Sequence, residues 1–384
     1  MMSAIEKADV IVIGAGIAGI GIAAQLGSGV RVVVLEQEAQ PGYHTTGRSA
    51  AVFAECYGGS TVRQLSRGSR PFFEQPPAGF AAHPLLVPRG FLFIARDDQR
   101  EALEALASLP DMRAGARRLT AAESCARMPL LRRDYVADAL VDDGASDIDV
   151  HALLQGYVAM LRRHGGQIRG HAQVTAITQH AQAWTVQTAA QVYEAPLLVN
   201  AAGAWADAIA ALAGVAPIGL RPLRRTAALV DVPAADGMAH WPLTIDIDET
   251  FYFKPDAGRL LISPGDETPS EPCDAMPDDM DLAIAVERIE AATTLDIRRM
   301  HSRWAGLRSF VADRSPVAGF ASDADGFFWL AGQGGYGIQT APALSRFAAA
   351  RLLGRPTPPD LADLGLQADA LSPARLAGIT ATDA

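Results

Sequence analysis

Gly14, Gly16 and Gly19 stand between an apolar run, Asp9-Val-Ile-Val-Ile13, and a stretch that reads as a helix over 17–27. The first glycine of such a set permits a tight turn, the second lets backbone N–H groups approach a pyrophosphate, and the third lets helix and strand pack closely. Ile17 and Ala18 then fall at a helix N-terminus, where unpaired N–H groups and the dipole favour negative charge. A second apolar run, Arg31–Leu35, ends at Glu36 and Gln37, and an acid about 20 residues after the first glycine suits ribose hydroxyls. Strand, glycine turn, helix, strand and acid in register specify a right-handed βαβ unit that binds a dinucleotide.

A second glycine-rich turn, Gly332-Gln-Gly-Gly-Tyr-Gly337, follows the apolar run 327–331 and again opens a helix. A chain that used only a nicotinamide dinucleotide would place its substrate residues in a separate domain after the nucleotide fold. An isoalloxazine ring does need a second such turn, because its reduced form carries negative charge near N1 and the C2 carbonyl, which a helix N-terminus stabilises. The expected cofactor is therefore FAD, with Gly334, Gly335, Tyr336, Gly337, Ile338, Gln339 and Thr340 at its ring end.

The elements that must position these turns are spread along the chain. At roughly 150 residues per domain, 384 residues make two or three. A hydrophobic content of 49% supports a sizeable core. The net charge of −10 argues against nucleic acid or an anionic membrane as the main partner. No apolar stretch reaches the ~18 residues of a transmembrane helix, and the N-terminal residues lack the marks of a secretory signal. Cys56, Cys125 and Cys273 are far apart and odd in number, which fits neither a disulfide framework nor a zinc site. No metal is expected, and reduced thiols suit a cytoplasmic protein.

The spacing predicts a loop over 41–60, a helix over 61–75, a strand at 91–94 and a short helix after the capping box Thr120-Ala-Ala-Glu123. A helix over 149–164 starts near Asp147 or Asp149. Short strands fill 166–194, a buried strand covers 196–200, and a helix lies near 205–213. Strands are expected over 222–263, 301–311 and 327–331, and helices over 279–292 and 338–352. The Pro-rich tail from 356 is expected to stay out of the core. Nucleotide-type signals near 14, 200 and 334 predict an α/β fold with a discontinuous Rossmann-type FAD-binding domain made of 1–51, 146–216 and 311–384. Residues 52–145 and 217–310 would form an α+β substrate domain with a mainly antiparallel sheet.

The segments IVIGAGIAG, VVVLEQEAQPGYHTTGRSAA, LVNAAGAWADAIA, WAGLRSFVAD and GGYGIQT occur in this order. Together they resemble the D-amino-acid oxidase superfamily of FAD enzymes, over roughly 8–375, and within it the bacterial D-arginine dehydrogenase group. The resemblance implies that the 43–51 loop lies along the flavin, with Gly42, His44, Thr45, Arg48, Ser49, Ala50 and Ala51 near it. It places Val174, Ala201, Gly203 and Trp205 at the cofactor too. It also implies non-covalent FAD, since no cysteine follows Cys273. His44 is expected to make a structural loop hydrogen bond rather than acid–base chemistry.

An amino-acid oxidase must hold a carboxylate so that the Cα–H faces flavin N5, and the arginine fork matches a carboxylate. On residue type alone, each arginine is more often a surface charge and Tyr252 more often half-buried sheet. The resemblance singles out Arg308, Arg225 and Tyr252 for the carboxylate, Tyr57 beside it, and the Gly335 carbonyl near the amine. The implied reaction is hydride transfer from Cα of a D-amino acid to N5, giving an imine that hydrolyses to a 2-oxo acid and ammonia, with no side-chain base needed at carbon. The electron acceptor, whether quinone, dye-like molecule or O2, is left open.

Two positions depart from that group. Phe91 replaces an acid that holds a cationic substrate end, and Val52 replaces a histidine; Leu243 and Ile245 complete an apolar pocket. A guanidinium there would lack a counter-ion, at a cost of several kcal/mol, so apolar or aromatic D-amino acids are expected to outperform D-Arg and D-Lys. Glu55 is the one alternative anchor, by its two-residue spacing from Tyr57. Glycine, N-methylglycine, cyclic imino acids and 2-hydroxy acids remain competing substrates, and a non-catalytic FAD-binding protein is the remaining alternative.

Overall fold

The computed structural model describes residues 5–232 and 237–377; the expected outer limits at 1 and 384 lie outside the described residues. Val10–Ile13 and Val32–Leu35 are buried at every position, as strands covered on both faces must be. They pair in parallel, and Gln167–Arg169, Leu197–Asn200 and Phe327–Ala331 extend the sheet in parallel, with Val317–Phe320 added antiparallel at the edge. Val10, Val12 and Val34 face one apolar cluster with the helices Ile17–Gln25, Val150–Arg163 and Gly337–Leu352. Ile11, Ile13, Val33 and Leu35 face a second cluster, shared with the four-stranded sheet of 6–7, 174–180, 183–188 and 192–195.

The second large sheet has nine strands and is built around an antiparallel pair, Arg221–Val230 with Met300–Phe310. Its two faces follow from period-two alternation. Ala228, Phe253, Ile262 and Val141 pack under the helix Asp279–Ala292. The opposite face carries Arg225, Ala227, Tyr252, Ile245, Phe93 and Phe91 through the pairings 252–245, 245–93 and 243–91. In the antiparallel pair, Leu223 lies opposite Arg308 and Arg225 opposite Gly306. Arg225 and Arg308 are thus diagonal neighbours on that same face.

The expected helices and strands occur at the expected places, with shifts of one or two residues at their ends. Asp149, not Asp147, caps the helix Val150–Arg163, its side chain accepting from Ala152 N at 2.8 Å. Asp147 instead bridges Lys254 (2.8 Å) and Arg89. The tail departs from expectation. Leu361, Leu366 and Leu371 are buried in the same cluster as the nucleotide helices, because Gly68 opens a space for Leu361: a Cβ on Gly68 would stand 2.3 Å from Leu361 Cδ2. Leu361→Ala should therefore destabilise the protein by about 2–5 kcal/mol, read as a shift in urea midpoint at constant slope; no shift would return the tail to the surface.

Candidate active site

A cavity of about 380 Å³ is shared by the ends of the parallel sheet and the arginine face of the nine-stranded sheet. At its nucleotide end, Glu36 is buried and fixed: Ala15 N donates to Oε2 at 2.7 Å and Glu38 N to Oε1 at 3.0 Å. A carboxylate has about four lone-pair sites, so others stay free for hydroxyls. The helix Ile17–Gln25 has glycine at its cap position, and its first N–H, Ile17 N, donates instead to Thr46 Oγ1 at 3.0 Å. Thr46 was not legible as a site residue, since nothing local links it to a helix 29 residues earlier.

The 43–51 loop is pinned to the Arg308 strand. Thr45 Oγ1 donates to Leu307 O (2.7 Å), Trp304 Nε1 donates to Arg48 O (3.0 Å), and Arg48 Nη1 donates to Ala305 O (3.0 Å) and Ala275 O (2.9 Å). His44 Nε2 lies 3.0 Å from Glu38 Oε1 and its ring packs on Trp205 at 4.7 Å. Gly14, Gly16, Ile17 and Ala18 line the cavity from the first turn, with Glu36 and Gln37 beyond them. Gly42, His44, Thr45, Arg48, Ser49 and Ala50 line it from the loop. Val174, Ala201, Gly203 and Trp205 form another wall, and Gly334, Gly335, Gly337 and Ile338 close the far end.

Five expected cofactor residues do not line it. Gly19 packs helix on turn, since a Cβ there would meet Gly14 O at 1.9 Å. Gln339 Oε1 accepts from Ala54 N (3.1 Å), which ties the helix start to that segment, and Thr340 Oγ1 donates to Tyr336 O (2.8 Å) within the helix start. Tyr336 faces Tyr57, and Ala51 packs against the apolar cluster of the nucleotide helices.

These residues fit FAD. The lining residues His44, Gln333 and Ser309 each keep a buried polar atom, Nδ1, Nε2 and Oγ, with no hydrogen-bond partner among the described residues; such atoms are rare unless a bound group meets them. The backbone at Gly14 and Gly16 together with Glu36 would hold the nucleotide half, and 334–338 the ring half.

At the substrate end Arg308 lines the cavity and has no hydrogen-bond or ion-pair partner among the described residues. Burial opposes its charge, but Tyr252, Tyr57, Tyr336 and the Glu249 carboxylate hold the guanidinium above its ordinary range. Gly335 is required beside it: a Cβ there would stand 3.0 Å from the guanidinium. Arg225 also lines the cavity but is already engaged. Its Nε donates to Asp266 O at 2.7 Å, its Nη2 lies 3.4 Å from Glu267 Oε1, and its Cζ is 5.9 Å from the centre of the Tyr252 ring. Burial, and then the like charge of Arg308, pull the Arg225 guanidinium below its ordinary range. Both facts favour an anion between the two forks.

Tyr57 does not line the cavity. Its Oη donates to Glu249 Oε2 at 2.8 Å, and its ring meets Phe91 (5.6 Å) and Tyr336 (5.4 Å). Burial, then Glu249, raise the phenol well above its ordinary range, so it stays protonated. Val52, Phe91, Leu243 and Ile245, expected to line the pocket, sit one layer back. They form one apolar cluster with the lining residues Ala50, Ala227 and Tyr252: alternation puts Phe91, Leu243 and Ile245 on the same face farther along the sheet, and Val52 joins from a short strand of another sheet. Glu55 is bound to Arg70 and turned away. The acid that meets Tyr57 is Glu249, on the turn between Leu243–Asp246 and Tyr252–Asp256, held in the left-handed region at φ +57°. No local signal ties position 249 to position 57. Among the described residues no group of three or more His, Cys, Asp or Glu could hold a metal ion, and no helix is long and apolar enough to cross a membrane.

Comparison with known proteins bears on the cavity. The family model described as FAD dependent oxidoreductase (DAO) matches residues 9–351. The bovine (Bos taurus) FAD-dependent oxidoreductase domain-containing protein 1 is 24% identical over 415 aligned residues, covering 91% of this chain and 82% of that protein. Among solved structures, L-proline dehydrogenase from P. horikoshii superposes with a TM-score of 0.81 at 21% identity, covering 97% of this chain and 98% of that one. Glycine oxidase from Geobacillus kaustophilus follows at 0.79 and 21%, covering 94% and 99%. At these identities the structures show a common fold.

Proposed function

The chain belongs to the DAO family of FAD-dependent oxidoreductases, and from that premise we propose that it oxidatively deaminates D-amino acids with apolar or aromatic side chains. The observation that carries this reading is Arg308, a guanidinium facing the cavity without a counter-ion among the described residues. A guanidinium stays protonated in proteins, and its fork matches a carboxylate. Arg308 and Arg225 grip that carboxylate, with Tyr252 beside them, and the Gly335 carbonyl accepts a hydrogen bond from the substrate amine. FAD, when bound, supplies the acceptor for the electron pair lost from the Cα–H bond. The apolar layer of Phe91, Leu243 and Ile245 with Ala50, Ala227 and Tyr252 keeps water from the reacting carbon.

The D-configuration rests on the motif resemblance, and the apolar preference on the layer of Val52, Phe91, Leu243 and Ile245 that backs the lining residues Ala50, Ala227 and Tyr252. The cofactor unit comprises 1–51, 146–216 and 311–384, the substrate unit comprises 52–145 and 217–310, and the flavin is held without a covalent link. Anaerobic bleaching of the flavin by a substrate panel tests the reading. D-Phe and D-Met should bleach at least ~10-fold faster than D-Arg, the factor expected when a cation lacks its partner. Equal rates would end the apolar preference. Fastest bleaching by glycine, an N-methyl amino acid, proline or a 2-hydroxy acid would replace the D-amino-acid reading. No bleaching by any of them would leave a protein that binds FAD without turnover.

A further inference from the structure

We propose that Glu267 sets the number of negative charges the substrate must bring, selecting monocarboxylates over dicarboxylates. The inference rests on the carboxylate-clamp reading above. Glu267 was not singled out by the sequence. Its Oε1 lies 2.7 Å from Arg314 Nη2 and 3.4 Å from Arg225 Nη2, and its Oε2 lies 3.1 Å from Arg314 Nη1. Arg314 is fixed in turn, its guanidinium 3.8 Å from the centre of the Phe310 ring. That ring fills the space under the second glycine turn, where a Cβ on Gly334 would meet Phe310 Cε1 at 2.0 Å. The acid is therefore held by Arg314 and reaches toward Arg225 from a fixed base.

The two forks facing the cavity are then unequal. Arg308 has no counter-ion among the described residues, whereas Arg225 shares one. Of the other acids nearby, Asp266 spends its carboxylate on Thr226 N (2.7 Å) and Thr226 Oγ1 (2.9 Å), on the opposite face of the strand from Arg225. Glu249 is bound to Tyr57. One substrate carboxylate satisfies Arg308 and completes Arg225. A second, placed near Arg225, would meet the charge of Glu267, which stands behind that fork rather than in the cavity lining. A like charge ~5 Å away at an effective dielectric of ~20 opposes binding by about 10²-fold. Glu267 keeps 34% of its side chain exposed, and solvent screening brings the expected effect to about ten-fold.

The FAD-loaded protein and the variants E267Q, E267D and R314M are titrated with propionate and succinate, following the flavin absorption band. Wild type should bind propionate more tightly. E267Q should shift the affinity ratio about ten-fold toward succinate, and E267D should restore the wild-type ratio. R314M should move the ratio the other way, because the whole carboxylate then faces Arg225. A role confined to structure would weaken both anions by a common factor and leave the ratio alone, which overturns the proposal. If E267Q fails to hold FAD, the direction of the R314M shift decides. If neither anion perturbs the wild-type flavin, the clamp reading falls and this inference with it.

Discussion

Arg308→Met lowers kcat/KM for amino-acid substrates by about 10³-fold while FAD content stays at the wild-type level. Removing one partner of a buried, hydrogen-bonded charge pair costs about 2–5 kcal/mol, or roughly 30- to 5,000-fold in rate constant. The upper part of that range is expected because Arg308 makes no direct bond elsewhere among the described residues: no hydrogen-bond or ion-pair partner is lost with the guanidinium except the substrate itself. Both kinetic constants should move. KM rises because the anion loses its strongest donor, and kcat falls because a displacement of about 1 Å at the reacting carbon can cost ~10²-fold. Arg225→Met should be milder, about ten-fold, since Arg225 already shares its charge with Glu267 and its Nε with Asp266 O. Steady-state kinetics on FAD-saturated variants decide the matter. An R308M enzyme within three-fold of wild type, or an R225M enzyme more impaired than R308M, would remove Arg308 from the carboxylate.

That asymmetry between the two arginines was not readable from the sequence, where only the resemblance singled them out. Motif and register place Arg225 and Arg308 on adjacent antiparallel strands. What differs between them is supplied by a turn 40 residues away, where Asp266 and Glu267 meet Arg225. Local patterning carried the nucleotide half further. Glycine spacing, the buried runs 10–13 and 32–35 and the acid at 36 all speak within one βαβ unit, and Glu36 does bond back to Ala15. Thr46 illustrates the limit: it caps a helix to which nothing nearby in the chain connects it. The pocket layer was carried over from the resemblance, which matches positions but not their depth: Phe91, Leu243 and Ile245 share the arginine face of the sheet yet lie farther along it than the lining. The tail was misjudged because composition was weighed above the three leucines at 361, 366 and 371, each of which fills a space in the nucleotide core.

Gly14→Ala loses FAD binding together with much of the stability of the fold, whereas Gly16→Ala folds and fails only at the cofactor. The two glycines sit in the same turn but meet different surroundings. Gly14 adopts φ +99°, a conformation that side chains rarely take, and a Cβ there would stand 2.4 Å from Ala201 O and 2.9 Å from Ala201 C. Both obstacles are backbone, just past the ends of strands that pair directly, Asn200 with Ile13. Backbone strain of about 1–3 kcal/mol and overpacking of a similar size together consume much of an ordinary stability margin. Gly16 sits at φ −70°, and a Cβ there would have one close neighbour, Thr46 Oγ1 at 3.3 Å. Alanine at that position should leave the urea midpoint within ~1 kcal/mol of wild type. It adds its methyl group on the cavity side, where backbone N–H groups must approach a pyrophosphate. FAD affinity should drop at least ~10-fold, the loss expected when one close charge-assisted contact of about 1.5–3 kcal/mol is displaced. Fluorescence titration of apoprotein with FAD, alongside urea denaturation, separates the two outcomes. A G14A protein as stable and as yellow as wild type would mean that the Gly14–Ala201 approach is not what the turn requires. A G16A protein with undiminished affinity would place the pyrophosphate elsewhere in the cavity.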